Sequence, residues 1–223
     1  MEEIKELVEA FEQKDFIEVI DALTDELYVL YGAGSSLGIN LDNKFKKEIY
    51  RLYNYNIDNL PETVTCLSNF NLLRYCVEHS RQKHKLPLII KKNMFNSDID
   101  QVISDLKNKL VKDVYTLEEN NTLDLISDIL VNLLINTYKM GLYLAINLDK
   151  SFDIVHKSNM SKLCSSKDEA QKTVDWYKKN QKRYDTPDYR LSDSKKYYVV
   201  YNKSTGKILK SINYTPARFD SLL

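Results

Sequence analysis

The sequence predicts an all-α fold: two helical hairpins in tandem, packed against each other as a pseudo-dimeric bundle, with a small β-hairpin and tail at the C-terminus. Three observations predict it. Glycine and proline are scarce, 5 and 4 in 223 residues, whereas β-rich and disordered chains need many turn-formers. Apolar residues recur at helical spacing over much of the chain. A stretch of 27 residues occurs twice.

Residues 2–13, EEIKELVEAFEQ, place Ile4, Leu7, Val8 and Phe11 on one face and charge elsewhere, the mark of an amphipathic helix. A short turn follows, with Asp15 as the expected N-cap. The next helix spans about 16–37, with Ile17, Ile20, Leu23, Leu27, Leu30 and Tyr31 as its apolar stripe, and Gly38 suits its C-terminal cap.

The segments VIDALTDELYVLYGAGSSLGINLDNKF (19–45) and ISDILVNLLINTYKMGLYLAINLDKSF (126–152) align without a gap at an offset of 107, with 11 of 27 positions identical. Asp21 falls on Asp128, Tyr31 on Tyr138, and Asn40-Leu41-Asp42 on Asn147-Leu148-Asp149. Such a match indicates an internal duplication, each copy built on a helical hairpin. The copies differ in charge. At the same offset Glu3 falls on Leu110, Glu6 on Asp113, Glu18 on Leu125 and Asp25 on Asn132.

Between the copies, 70–81 reads as a helix, a basic loop surrounds Pro87, and Asn96-Ser97-Asp98 caps a helix over about 99–115. Beyond the second copy, KDEAQKTVDWYKKNQKRYD is a polar helix. The alternating KKYYVVYNKSTGKILKSINYTP, with a turn signal at Gly206, predicts a β-hairpin over roughly 196–212. The expected domains are 1–58 (first, acid-bearing unit), 59–165 (second, degenerate unit) and 166–223 (a C-terminal part completing the site).

Lys+Arg and Asp+Glu are both 32, so no basic surplus argues for nucleic acid or an anionic membrane. Three widely spaced cysteines form no CxxC pair, which disfavours a zinc site and fits reduced thiols. No signal core and no run of 18 apolar residues occurs. A cytoplasmic, soluble location is expected, with no nucleic-acid or membrane partner and with room for a homodimer.

Glu2, Glu3 and Glu6 share a face of the first helix, and Glu18, Asp21 and Asp25 form a stripe on the second. One reading is a solvated acidic face. The other is a carboxylate cluster whose repulsion is offset by a hard divalent cation, Mg²⁺ or Mn²⁺. Asp21 and Asp25 favour the second, because they interrupt an otherwise apolar helix where a buried charge needs a partner.

With EEIKEL, EVIDALTDELYVLYGAGSSLGINLD, VHKSNMSKL (155–163) and GKILKSINYTP (206–216), the chain resembles the MazG-like, phosphoribosyl-ATP pyrophosphohydrolase-like family over 2–45, 126–163 and 206–216. The resemblance implies an all-α, Mg²⁺-dependent hydrolase that splits a nucleoside triphosphate between its α- and β-phosphates into a monophosphate and pyrophosphate. The family's metal signature, ExxE then ExxD, is matched by Glu3 and Glu6, then Glu18 and Asp21, with an 11-residue spacer. Asp25 corresponds to a further acid of the family and joins the metal set. Glu2 or Glu3 is the implied catalytic base. His156, Asn159, Lys162, Lys210, Asn213 and Tyr214 are the implied substrate contacts. At the place matching VHKSNMSKL the first copy reads KKEIYRLYNYN, without counterparts of Asn159 and Lys162. The resemblance therefore implies one composite site between the repeats. A non-catalytic nucleotide-binding or interaction protein of the same fold remains the alternative.

Overall fold

The computed structural model describes residues 2–79 and 122–222, together with 101, 104–105, 107–109, 111–112 and 115. It divides into two compact units, Met1–Phe152 with Phe219–Leu223, and 153–218. The division differs from the expected boundaries at 58/59 and 165/166, because both 27-residue repeats pack into the first unit.

In the first unit α1 (Glu2–Gln13) and α2 (Phe16–Ser36) form an antiparallel hairpin. Asp15 caps α2 as expected, its carboxylate accepting from the amides of Ile17 and Glu18. Ile4, Leu7 and Ala10 of α1 are buried, as are Val19, Ile20, Leu23, Leu27 and Leu30 of α2. Ile17, expected in the stripe, is 45% exposed, since it lies in the first turn. Then follow α3 (Leu41–Leu52), a 3-10 turn at Ile57–Asn59, α4 (Glu62–Thr65), α5 (Asn69–His79), α6 (Leu123–Tyr143) and α7 (Leu148–Met160). The described residues from 101 to 115 are helical, in keeping with the expected helix there. The basic loop around Pro87 and the cap at 96–98 lie outside the described residues.

The duplication is visible as matched geometry. Tyr31 donates to Asp42 at 3.0 Å, and Tyr138 donates to Asp149 at 2.8 Å. The Phe45 ring of the first copy lies 5.2 Å from that of Tyr138, and Phe152 of the second lies 5.4 Å from that of Tyr31. Each copy thus inserts its phenylalanine against the other's tyrosine. The two tyrosine hydroxyls meet at 3.4 Å on the pseudo-two-fold between the copies. Burial pushes both hydroxyls far above their ordinary pKa, so both stay neutral donors. Asn69, at the start of α5, donates to Tyr31 and Asp42, while the Phe70 amide donates to Asp149.

The turn after the long helix is also copied. Ile39 N–H bonds Gly34 O and Gly38 N–H bonds Ser35 O. In the second copy Ile146 bonds Gly141, and Ala145 bonds Leu142. These are the two bonds of a Schellman ending. Gly34 and Gly141 permit the next helix to approach closely. A Cβ on either would meet Leu41 Cδ1 at 2.6 Å or Leu148 Cδ1 at 2.5 Å. The left-handed residue of the turn is Gly38 (φ 69°) in the first copy but Ala145 (φ 56°) in the second. An L side chain there costs about 1–2 kcal/mol, part of which glycine's freedom in the unfolded chain cancels. Ala145→Gly should therefore stabilise the protein by roughly 0.5–1 kcal/mol and Gly38→Ala should destabilise it by a similar amount, read from urea midpoints at unchanged m-value.

Leu7, Ile20, Leu23, Leu27, Phe45, Ile49, Leu72, Leu73, Leu130, Leu134 and Met140 are fully buried, and each contributes about 1.5–3 kcal/mol. The cysteines are unpaired, with Cys76 and Cys164 buried. Among the described residues no single helix is long and apolar enough to cross a membrane.

The second unit holds the end of α7, then α8 (Lys167–Asn180) and a two-stranded antiparallel sheet, β1 (Pro187–Leu191) with β2 (Tyr198–Asn202). Cys164, Ala170, Val174, Tyr177, Val200 and Leu209 form its core. The expected hairpin over 196–212 is shifted. Tyr198–Asn202 pairs with the preceding segment, Leu191 opposite Tyr198, and the following segment adds only the bridge Tyr201–Ile208. Pro187 and the charges of PDYRL conceal that strand in the sequence. An edge strand, whose first residue donates nothing, tolerates both.

Candidate functional site

The α1–α2 hairpin sets the spacing of the acids. Its apolar contacts fix the two helices, and the polar stripes follow. Glu6 and Glu18 are exposed, while Glu3, Asp21 and Asp25 are half-buried. Asp21 has its pKa raised to about 6, first by burial and then by the charges of Asp25, Glu18 and Glu6. Three of the expected metal ligands therefore act on a fourth, Asp21, which is at their focus. Glu3 acts instead on Glu26, a neighbour of Asp25 on the buried side of α2. The Glu2 side chain lies outside the described residues.

Glu26 was not singled out by sequence. It is 5% exposed and its carboxyl hydrogen-bonds Thr137, which raises the α2–α6 interface to a polar contact inside an apolar core. Its Oε2 has no hydrogen-bond partner. Burial above all pushes its pKa up to about 8, so it is largely neutral at pH 7. The only signal that could have found it is the helical wheel, since position 26 shares a face with Leu23 and Leu30.

Among the described residues no three His, Cys, Asp or Glu side chains already stand in an arrangement that would hold a metal ion. The donor chemistry nevertheless fits a hard divalent ion. The groups gathered around Asp21 are all carboxylates, and their mutual repulsion, visible in the raised Asp21, is the cost such an ion offsets. In the second copy the same helical positions carry Leu125, Asp128 and Asn132, and no comparable focus of charge exists among the described residues.

The expected substrate contacts lie in the second unit. His156 is exposed on α7. Asn159, one turn on, accepts from the Lys162 ammonium. The tail crosses this helix end. Ser211 N–H donates to Lys162 O at 3.1 Å, Ser158 donates to the Tyr214 hydroxyl at 3.4 Å, and Thr215 N–H donates to Ser161 Oγ at 2.9 Å. Lys210 stacks its ammonium 4.1 Å from the Tyr214 ring centroid. Asn159, Lys162, Lys210, Asn213 and Tyr214 are thus neighbours along one crossing.

Glu169 fastens the tail, a role the sequence did not reveal. Ser211 Oγ donates to it, and so do the amide and hydroxyl of Ser165 at 2.9 and 2.7 Å. Burial pushes its carboxyl up, but the hydrogen bonds from Ser211 and Ser165 outweigh burial and hold it below the ordinary glutamate value. Glu169→Ala should cost about 2 kcal/mol and speed amide exchange at Ser211 and Asn213, measured by hydrogen exchange.

A phosphoribosyl-ATP pyrophosphohydrolase family model matches residues 1–49, the stretch that carries the α1–α2 acids. An uncharacterized protein of Acanthamoeba polyphaga mimivirus is 33% identical over 233 residues, covering 100% of this chain and 79% of its own length. No solved structure matches. The match over the acid-bearing hairpin leads to one conclusion: through residues 1–49 the chain belongs to the phosphoribosyl-ATP pyrophosphohydrolase family of MazG-like all-α pyrophosphohydrolases.

Proposed function

We propose that this protein hydrolyses nucleoside triphosphates to a nucleoside monophosphate and pyrophosphate, with Mg²⁺ held by Glu3, Glu6, Glu18, Asp21 and Asp25. The observation that carries the proposal is the focus of three carboxylates, Asp25, Glu18 and Glu6, on Asp21 within the stretch that matches the family. Mn²⁺, with the same preference for oxygen ligands, would substitute.

In the reaction a water oxygen attacks phosphorus and the bridging P–O bond between the α- and β-phosphates breaks. One water proton leaves to a base and the bond's electron pair departs with pyrophosphate. Glu3 is the proposed base, because it is half-buried at the edge of the acid stripe and not among the charges that raise Asp21. Glu2, the other acid implied for that role, adjoins it in sequence. Bound Mg²⁺ would supply charge neutralisation for the phosphates and a more acidic water. The carboxylates of Glu6, Glu18, Asp21 and Asp25, joined by Glu3, would hold the ion, with Glu3 the member not fully engaged by it and so able to take the proton.

Asn159 and Lys162 are proposed to contact the substrate, with His156, Lys210, Asn213 and Tyr214. Lysine is a normal point-charge partner for phosphate. Lys162→Ala should raise KM at least tenfold while leaving the melting temperature within 2 °C. An unchanged KM would remove Lys162 from the substrate contacts.

The deciding experiment is pyrophosphate release from a panel of NTPs and dNTPs, with Mg²⁺, with Mn²⁺ and with EDTA. Metal-dependent release of pyrophosphate and a monophosphate is expected. A folded protein that releases none from any nucleotide would refute hydrolysis and leave the non-catalytic reading.

A further inference from the structure

The first unit holds a groove of about 490 Å³ between α3 and α6, lined by Lys44, Lys47, Glu48, Arg51, Asp128, Val131 and Asn132. Its place in the duplication gives it meaning. Asp128 and Asn132 are the second-copy positions of Asp21 and Asp25. One wall of the groove is therefore the second-copy counterpart of the Asp21–Asp25 stripe, with its chemistry altered, and the other wall is α3 of the first copy. Glu18 has become Leu125 and Asp25 has become Asn132, so of the three acids on the first copy's long helix only Asp21 keeps a carboxylate, as Asp128. On the facing helix, Lys44, Lys47 and Arg51 recur at i, i+3 and i+7 and line one wall.

We propose that this groove binds a nucleoside di- or triphosphate without a metal ion. Fixed cations replace the divalent ion as counter-charge to the phosphates. Glu48 is held by Arg51 through both guanidinium contacts, so it offsets Arg51 alone and leaves Lys44 and Lys47 as the cations that face the phosphates. Among the described residues no salt bridge engages Lys44 or Lys47. The Asn132 amide offers a donor and an acceptor to a base edge, and the Asp128 carboxylate accepts from sugar hydroxyls. The volume lies within the range of small-molecule sites, about 300–1,000 Å³. Val131 is the apolar wall against which a sugar or base would lie. A groove so placed joins α3 of the first copy to α6 of the second, and a ligand there bridges the two repeats.

The test is fluorescence anisotropy of a mant-labelled nucleoside triphosphate with the full chain in EDTA, where binding through a metal is excluded. Saturable binding is expected, lost at least thirtyfold in Lys44→Glu/Lys47→Glu and kept in both Lys44→Arg/Lys47→Arg and Asp21→Asn. The unlabelled triphosphate should compete at least tenfold better than pyrophosphate, and the unphosphorylated nucleoside should not compete. Absence of binding in EDTA, or binding that survives the double charge reversal in a chain that melts as the wild type does, would overturn the site. Loss of binding in the arginine variant would overturn the charge argument. Equal competition by pyrophosphate would overturn the nucleotide assignment. None of these arms requires metal or turnover, so the failure of this proposal and the failure of the proposed hydrolysis are separate results.

Discussion

Replacing Asp21 with asparagine should abolish metal-dependent pyrophosphate release and, in the same protein, raise the melting temperature measured in EDTA at pH 7.5. Both effects have one cause. Asp21 titrates at about 6 because burial and then Asp25, Glu18 and Glu6 oppose its charge. The folded state therefore holds this proton more tightly than the unfolded chain, where the carboxyl titrates near 3.8. The cost is absent below about pH 3.8, grows between 3.8 and 6, and is complete above 6. At about 1.4 kcal/mol per unit the bound is about 3 kcal/mol, and screening at a half-buried group reduces it to roughly 1–2 kcal/mol. Asparagine keeps the shape without the charge, so the metal-free variant should melt about 3–6 °C higher. Loss of a ligand at the focus of the cluster should lower turnover by at least a hundredfold. Metal binding in the wild type should weaken as the pH falls below 6, with proton release on binding measurable by calorimetry in two buffers. An Asp21→Asn protein with full Mg²⁺-dependent turnover would remove Asp21 from the metal set. One with a lower melting temperature would refute the repulsion.

The second large effect concerns Glu26. Its pKa of about 8, against an unfolded value near 4.5, makes the fold progressively less stable from pH 4.5 up to 8, after which the cost is constant. Over the whole of that window the wild type should lose several kcal/mol, on the order of 1.4 kcal/mol per unit, of which roughly 1.5–2 kcal/mol falls above neutral pH. Glu26→Gln keeps the volume and the bond to Thr137 and removes the ionisation. Its melting temperature should be close to that of the wild type at pH 5 and higher by about 5 °C or more at pH 8.5. Parallel pH profiles for the two proteins would show that Glu26 is hydrated and not buried. Asp21, with its midpoint at about 6, is about nine-tenths ionised by about pH 7, so the interval above pH 7 reports Glu26 with little contribution from it.

These two acids mark the limit of the sequence. Asp21 and Asp25 are legible because they interrupt an apolar stripe at the spacing of a helix face. Glu26 looks like their neighbour in the string DEL, but one residue is a turn of 100° on a helix, and that turn carries it from the rim of the stripe into the contact with α6. Glu169 was hidden for a related reason. It reads as one more acid of a polar helix, and only the return of the tail brings Ser211 to it across 42 residues. The sheet was half legible. The alternation of YYVVYN marks β2, but its partner, Pro187–Leu191, is defined by pairing and not by composition.

The sequence by itself determined the helical class, the α1–α2 hairpin with its Asp15 cap, and the duplication, because each is written in local periodicity or in a repeat that survives alignment. The repeat even carried its turn, although not that Ala145 would be held in the left-handed conformation. Only the tertiary structure decided which acids face one another, that Phe45 and Phe152 exchange between the copies, and that Tyr31 and Tyr138 meet where the copies join. The physical reason is range. Helix periodicity and caps act within one or two turns of chain, while the repulsion felt by Asp21, the burial of Glu26 and the contact at an offset of 107 residues exist only once distant segments share one core.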